Sequence, residues 1–151
     1  MTTLACAYRH TLFGLIFAIV GIALGIYMAS THNHVQHVTH AHILLLGLVV
    51  SLLYASVLRL WMADQPASWL ITAQLLLHQI GTLVVSAGLF ALYGQLLAEP
   101  VLGPILGLGS LAVFGGMLLM LLLFVRAGRQ VGATAPGAAP RAAELVGRRA
   151  G

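Results

Sequence analysis

Four long apolar runs, separated by short polar breaks, constrain this chain more than any other feature. They cover about 11–29, 39–60, 68–94 and 101–125 of its 151 residues. Each reaches the roughly 20 consecutive apolar residues that cross a bilayer core. Polar and apolar residues do not alternate along them, so they are not barrel strands. In hydrocarbon the backbone must satisfy its own hydrogen bonds, which makes each run a helix. Only 7% of the residues are charged, against about 25% in an ordinary soluble domain. A soluble enzyme, a disordered chain and a nucleic-acid-binding domain are thereby excluded. A single cysteine, Cys6, excludes a disulfide scaffold. The expected fold is an all-α, integral membrane four-helix bundle over 1–126.

The basic residues report orientation. There are seven arginines and no lysine. Arg9 precedes the first run, Arg59 ends the second, and Arg126, Arg129, Arg141, Arg148 and Arg149 follow the fourth. The breaks between runs one and two, and between three and four, carry neither Arg nor Lys. All the positive charge therefore falls on one side, which the positive-inside rule assigns to the cytoplasm. An even number of spans puts both termini there. The first run is too long for the apolar region of a cleaved signal, which has about 7–15 residues. Residues 127–151 are Gly, Ala, Pro and Arg for the most part. They read as a disordered basic cytoplasmic tail able to meet anionic headgroups. The Ala/Gly/Leu/Arg-rich composition suggests a bacterial inner membrane.

Glycines recur inside the runs. Gly21 and Gly25 form one GxxxG and Gly103 and Gly107 another, with Gly81, Gly88, Gly115 and Gly116 between and beyond. Small residues at such spacing let helix backbones approach closely, within one chain or between copies.

The chemistry rests on seven histidines in a chain nearly empty of other polar groups. His32, His34, His37, His40 and His42 fall within eleven residues; His78 and His10 stand apart. Ionisable groups inside a membrane are functional candidates by default, and neutral imidazole is a common metal ligand. His40 and His42 open the second helix. At about 100° per residue they point about 200° apart, so they serve two different sites on opposite flanks. Gly47 lies seven residues after His40 on the same face, and its missing side chain leaves room for a bulky flat ligand such as a haem. His78 lies ten residues into the third run, about 15 Å deep at 1.5 Å per residue. Its depth does not favour pairing with His42 on one haem axis. Gln74 shares the face of His78, and a Gln–His pair can equally be interhelical glue, worth about 0.6 kcal/mol. His32 and His34 read as surface histidines and His10 as an interfacial residue beside Arg9.

The stretch His37-Val-Thr-His40-Ala-His42-Ile-Leu-Leu-Leu-Gly47, with the apolar run to Tyr54, resembles a helix of the haem–copper oxidases. In the catalytic subunit of the C-type branch, a His-x-His is followed five residues later by Gly. Residues 10–126 as a whole resemble small four-helix bacterial proteins similar to one four-helix arc of that subunit, Gly25-Ile26-Tyr27-Met28 ending the first helix. The resemblance implies haem b, with His40 and His42 as iron ligands on two different haems; His78 and Gly47 are further candidates for the cofactor site, although relatives often carry a histidine where this chain has Gln74, one turn before His78. The large subunit is built as three such arcs, which implies a homotrimer here with haem between protomers. The chain departs from the oxidases in lacking an adjacent His-His pair, so copper is not expected. Its three carboxylates, Asp64, Glu99 and Glu144, lie outside the apolar runs, which leaves no acidic proton channel. Electron transfer or binding of a diatomic gas is therefore expected ahead of oxygen reduction, with a redox partner protein. Two alternatives use the same residues. One is a divalent-metal binding or transport protein; the other is a cofactor-free assembly partner of a respiratory complex.

Overall fold

The computed structural model describes residues 1–63 and 68–134, with side chains to residue 129. All four apolar runs are helices: α1 (Thr3–Thr31), α2 (His37–Trp61), α3 (Trp69–Tyr93) and α4 (Glu99–Thr134). Each is long and apolar enough to cross a membrane.

The caps explain where the helices begin and stop. Thr2 accepts the Ala5 N–H at 3.2 Å on its side-chain oxygen, and Ser68 accepts that of Leu70 at 3.2 Å. Both satisfy donors left open at a helix start. At the other end of α1, His32 adopts a left-handed conformation with φ of 53°, which turns the chain out of the helix.

Two boundaries differ from the sequence expectation. α1 starts at Thr3 rather than near residue 11. Arg9 and His10 read as a polar flank, but they lie within a helix that the Thr2 cap starts earlier. α4 continues to Thr134, so the first residues assigned to the tail are helical. The remainder of the tail, with Arg141, Glu144, Arg148 and Arg149, lies outside the described residues, as does Asp64.

Within α2, the segment Ile43–Val50 is wound as a π-helix, with hydrogen bonds reaching five residues back instead of four. The wide turns separate the histidine-bearing start of α2 from its second half, Ser51–Trp61.

The packing joins two hairpins. α1 lies along α2, and α3 lies along α4. α1 also touches α3, and α2 touches both α3 and α4; Cys6 and Ala7 of α1 and Met120, Leu123 and Ala127 of α4 belong to one buried cluster with residues of α2 and α3. Glycines set the closest approaches. A Cβ on Gly81 of α3 would stand 2.8 Å from the Val113 backbone nitrogen and 2.9 Å from the Gly109 carbonyl oxygen of α4. A Cβ on Gly116 would stand 3.1 Å from the His78 nitrogen. The α1 GxxxG is spent within the chain, Gly21 against Leu44 and Gly25 against the His40 ring. The α4 pair, Gly103 and Gly107, faces open space.

The exterior is apolar, and the interior combines an apolar cluster around Leu58, Ile71 and Leu75 with deeply buried polar side chains. Of the nine largest fully buried side chains, six are polar: His10, Thr39, Ser51, Gln74, His78 and Thr82. Ile19, Leu53, Leu83, Leu108 and Leu111 are each more than half exposed. A chain folded for water shows the reverse bias in its most buried groups.

Candidate functional site

Two groups of polar side chains stand out, at different levels of the bundle. The first is the histidine pair at the start of α2. His40 lies across α1, its Nδ1 donating to the Gly21 carbonyl oxygen at 2.9 Å. Gly25 makes this possible: a Cβ there would stand 2.9 Å from the His40 Cε1. His42 folds back on its own helix, its Nδ1 donating to the Val38 carbonyl oxygen at 2.9 Å. A carbonyl can only accept, so each Nδ1 carries the hydrogen and each Nε2 is left with a lone pair. Both rings are half-buried. Neither Nε2 has a hydrogen-bond partner among the described residues. The two imidazoles leave the helix in different directions, as their spacing requires.

Gly47 sits elsewhere than the sequence placed it. The space its missing side chain leaves is occupied by the ring of Phe17 from α1. The room beside Gly47 is thus helix–helix contact within the chain rather than a cleft for a flat ligand.

The other outer histidines have local roles. His37 donates from Nδ1 to the His34 carbonyl oxygen at 3.0 Å, and its ring lies 6.5 Å from that of Tyr93. His32 and His34 are exposed. Gln36, which the sequence reading passed over, is buried and ties this end together. Its Nε2 donates to the Phe90 carbonyl oxygen of α3 at 3.1 Å, and its Oε1 accepts from Thr39 Oγ1 at 2.7 Å.

The second group is a buried network deeper in the bundle. His10 bonds through both ring nitrogens, Nε2 to Gln74 Oε1 at 3.0 Å and Nδ1 to Gln79 Nε2 at 2.9 Å. Gln79 Nε2 also donates to Ser51 Oγ at 3.1 Å. Ser51 Oγ lies 3.4 Å from His78 Nε2. One proton assignment satisfies every link: His10 donates from Nε2 to Gln74 and accepts at Nδ1 from Gln79, and Ser51 donates to His78. Tyr54 stands between the imidazoles, its ring centroid 5.5 Å from His10 and 4.8 Å from His78. The Tyr54 hydroxyl, Gln74 Nε2, His78 Nδ1 and Gln79 Oε1 are buried without a hydrogen-bond partner.

This network reassigns two residues. His10 is wholly buried, not interfacial. Gln74 bonds to His10 across the bundle rather than to His78, its neighbour on the same face. His78 faces Ser51, Tyr54 and His10, and its backbone rests against Gly116. It has no contact with His40 or His42 in these interactions.

Among the described residues, no three His, Cys, Asp or Glu side chains come together as a metal site. The Nε2 atoms of His40 and His42 are each a single neutral imidazole donor of the kind that metals take. Compared with protein-family models, curated proteins and solved structures, the chain matches none.

Proposed function

We propose that this protein is a multi-pass membrane haem b protein that transfers electrons, with His40 and His42 as the iron ligands. The observation that carries the reading is the pair of Nδ1-to-carbonyl bonds on two half-buried rings; His37 makes a third such bond, but at an exposed position. Metal-bound histidines characteristically donate their second nitrogen to a carbonyl or carboxylate, which fixes the tautomer and strengthens the ligating nitrogen. Gly21 and Val38 supply those carbonyls here, and Gly25 gives the His40 ring its place. His40 and His42 would hold the haem, which would supply one-electron transfer. The two imidazoles diverge within one chain, which suits ligation between copies: His40 of one protomer and His42 of the next, closing as a trimer.

The membrane setting is supported by the four long apolar helices and by the apolar exterior around deeply buried polar side chains. The arginines at the start of α1 and the ends of α2 and α4 support a cytoplasmic position for that end and for both termini. Binding of a diatomic gas is the variant of this reading, with the same His40 and His42 holding the group.

The test is the absorption spectrum of the protein purified in mild detergent, oxidised and then reduced with dithionite. The expected result is a sharp Soret band with split α and β bands. His40→Ala or His42→Ala abolishes that spectrum, while His32→Ala and His34→Ala leave it unchanged. A colourless protein after haem-supplemented expression, or an unchanged spectrum in both His40→Ala and His42→Ala, overturns the assignment and favours a cofactor-free assembly partner.

A further inference from the structure

The end of the bundle opposite the histidine pair holds an open groove of about 1030 Å³ between α1 and α2. Arg9 and Tyr8 of α1 and Arg59 of α2 line it, with Leu12, Leu52 and Leu60 forming apolar wall. Arg9 and Arg59 are exposed. Among the described residues the lining contains no carboxylate. Tyr8, Trp61 and Trp69 are all exposed at this end, the position of an interfacial aromatic belt. The groove therefore combines two positive charges at headgroup level with apolar walls.

We infer that this groove binds one anionic phospholipid of the surrounding leaflet, its phosphate between Arg9 and Arg59 and an acyl chain along Leu12, Leu52 and Leu60. Charge complementarity selects this occupant. A second copy of the chain has only three acidic residues against seven arginines, and Glu99, the one carboxylate among the described residues, lies at the other end of the bundle, at the start of α4. A copy docking here would set arginine against arginine. A zwitterionic lipid would leave the pair of guanidiniums without net compensation. The groove is also separate from the histidine pair: Arg9 precedes Gly21, the acceptor of His40, by twelve residues, about 18 Å along α1. The inference thus stands apart from the haem reading.

The experiment is native mass spectrometry of the full chain in non-ionic detergent, titrated with phosphatidylglycerol or with phosphatidylcholine of the same acyl chains. An arginine near the membrane surface favours anionic lipid by about fivefold, so the pair predicts a preference of about 25-fold. Arg9→Gln/Arg59→Gln brings the two lipids to near parity without changing phosphatidylcholine binding. Arg9→Lys/Arg59→Lys keeps most of the preference, which separates lost charge from lost folding. Inorganic phosphate at the same concentration does not displace the lipid. Equal binding of both lipids by the wild type, an undiminished preference in the glutamine variant, displacement by phosphate alone, or a second copy occupying the groove in place of lipid would each overturn the inference.

Discussion

What each histidine can do is decided by its second ring nitrogen. His40 and His42 give Nδ1 to a backbone carbonyl and keep Nε2 free; His10 has both nitrogens engaged. His37 makes the same kind of bond at an exposed position, whereas His40 and His42 do so on half-buried rings within the apolar helix α2. Gly25→Val places side-chain atoms where the His40 ring now lies. On the haem reading it shifts or abolishes the Soret band while leaving helix content by circular dichroism intact. Gln79 is the branching residue of the buried network. A single interhelical bond in a membrane contributes about 0.6 kcal/mol, but Gln79→Leu strands the His10 Nδ1 and weakens Ser51 as well. Leaving buried groups unsatisfied costs about 1–3 kcal/mol, and unfolding in mixed micelles should show a loss of that size. The pair at His40 and His42 was legible because its two-residue spacing fixes its directions. The partners of His10 were not: Gln74 and Gln79 are 64 and 69 residues away, and no local pattern joins them. Gly47 was misread because a vacancy in sequence says nothing of which neighbour, here Phe17, fills it.

Helices follow the apolar runs closely in their middles and less closely at their ends. The early start of α1 depends on one capping hydroxyl and on burying a histidine inside the helix, which a search for apolar residues counts as a break. The π-wound segment had no signature at all, since Ile43-Leu-Leu-Leu-Gly-Leu-Val-Val50 is uniformly apolar. The glycines, by contrast, separate only once their neighbours are known. Gly81→Val forces apart backbones that approach within a Cβ distance of 2.8 Å. Overpacking of this kind costs about 1–3 kcal/mol. Gly107→Ala adds a methyl group in open space and gains up to about 1 kcal/mol of helix propensity. Parallel thermal melts of the two variants should therefore move in opposite directions, unless copies pack through the Gly103–Gly107 face, in which case Gly107→Ala lowers the oligomer's stability instead.

At the scale of the whole molecule, the composition that excludes a soluble domain also anticipates the apolar surface. Orientation is the further step. Alkaline phosphatase fused after Gln36 or Gln95 should be active, and fused after Arg129 inactive, if the arginine-bearing end is cytoplasmic; the opposite pattern would invert the assignment. The two hairpins, α1 with α2 and α3 with α4, share one apolar cluster, with Leu58 and Met62 on one side and Ile71, Leu75 and Met120 on the other, and every hydrogen bond among His10, Ser51, Gln74, His78 and Gln79 also crosses from one hairpin to the other. The same is true of the bond from Gln36 to Phe90. The covalent link between Met62 and Ser68 is thus not what keeps the halves in register. Two separately translated pieces, 1–63 and 68–151, carry complementary polar surfaces that only each other can satisfy within a lipid phase, and they should find one another and co-purify as a single unit.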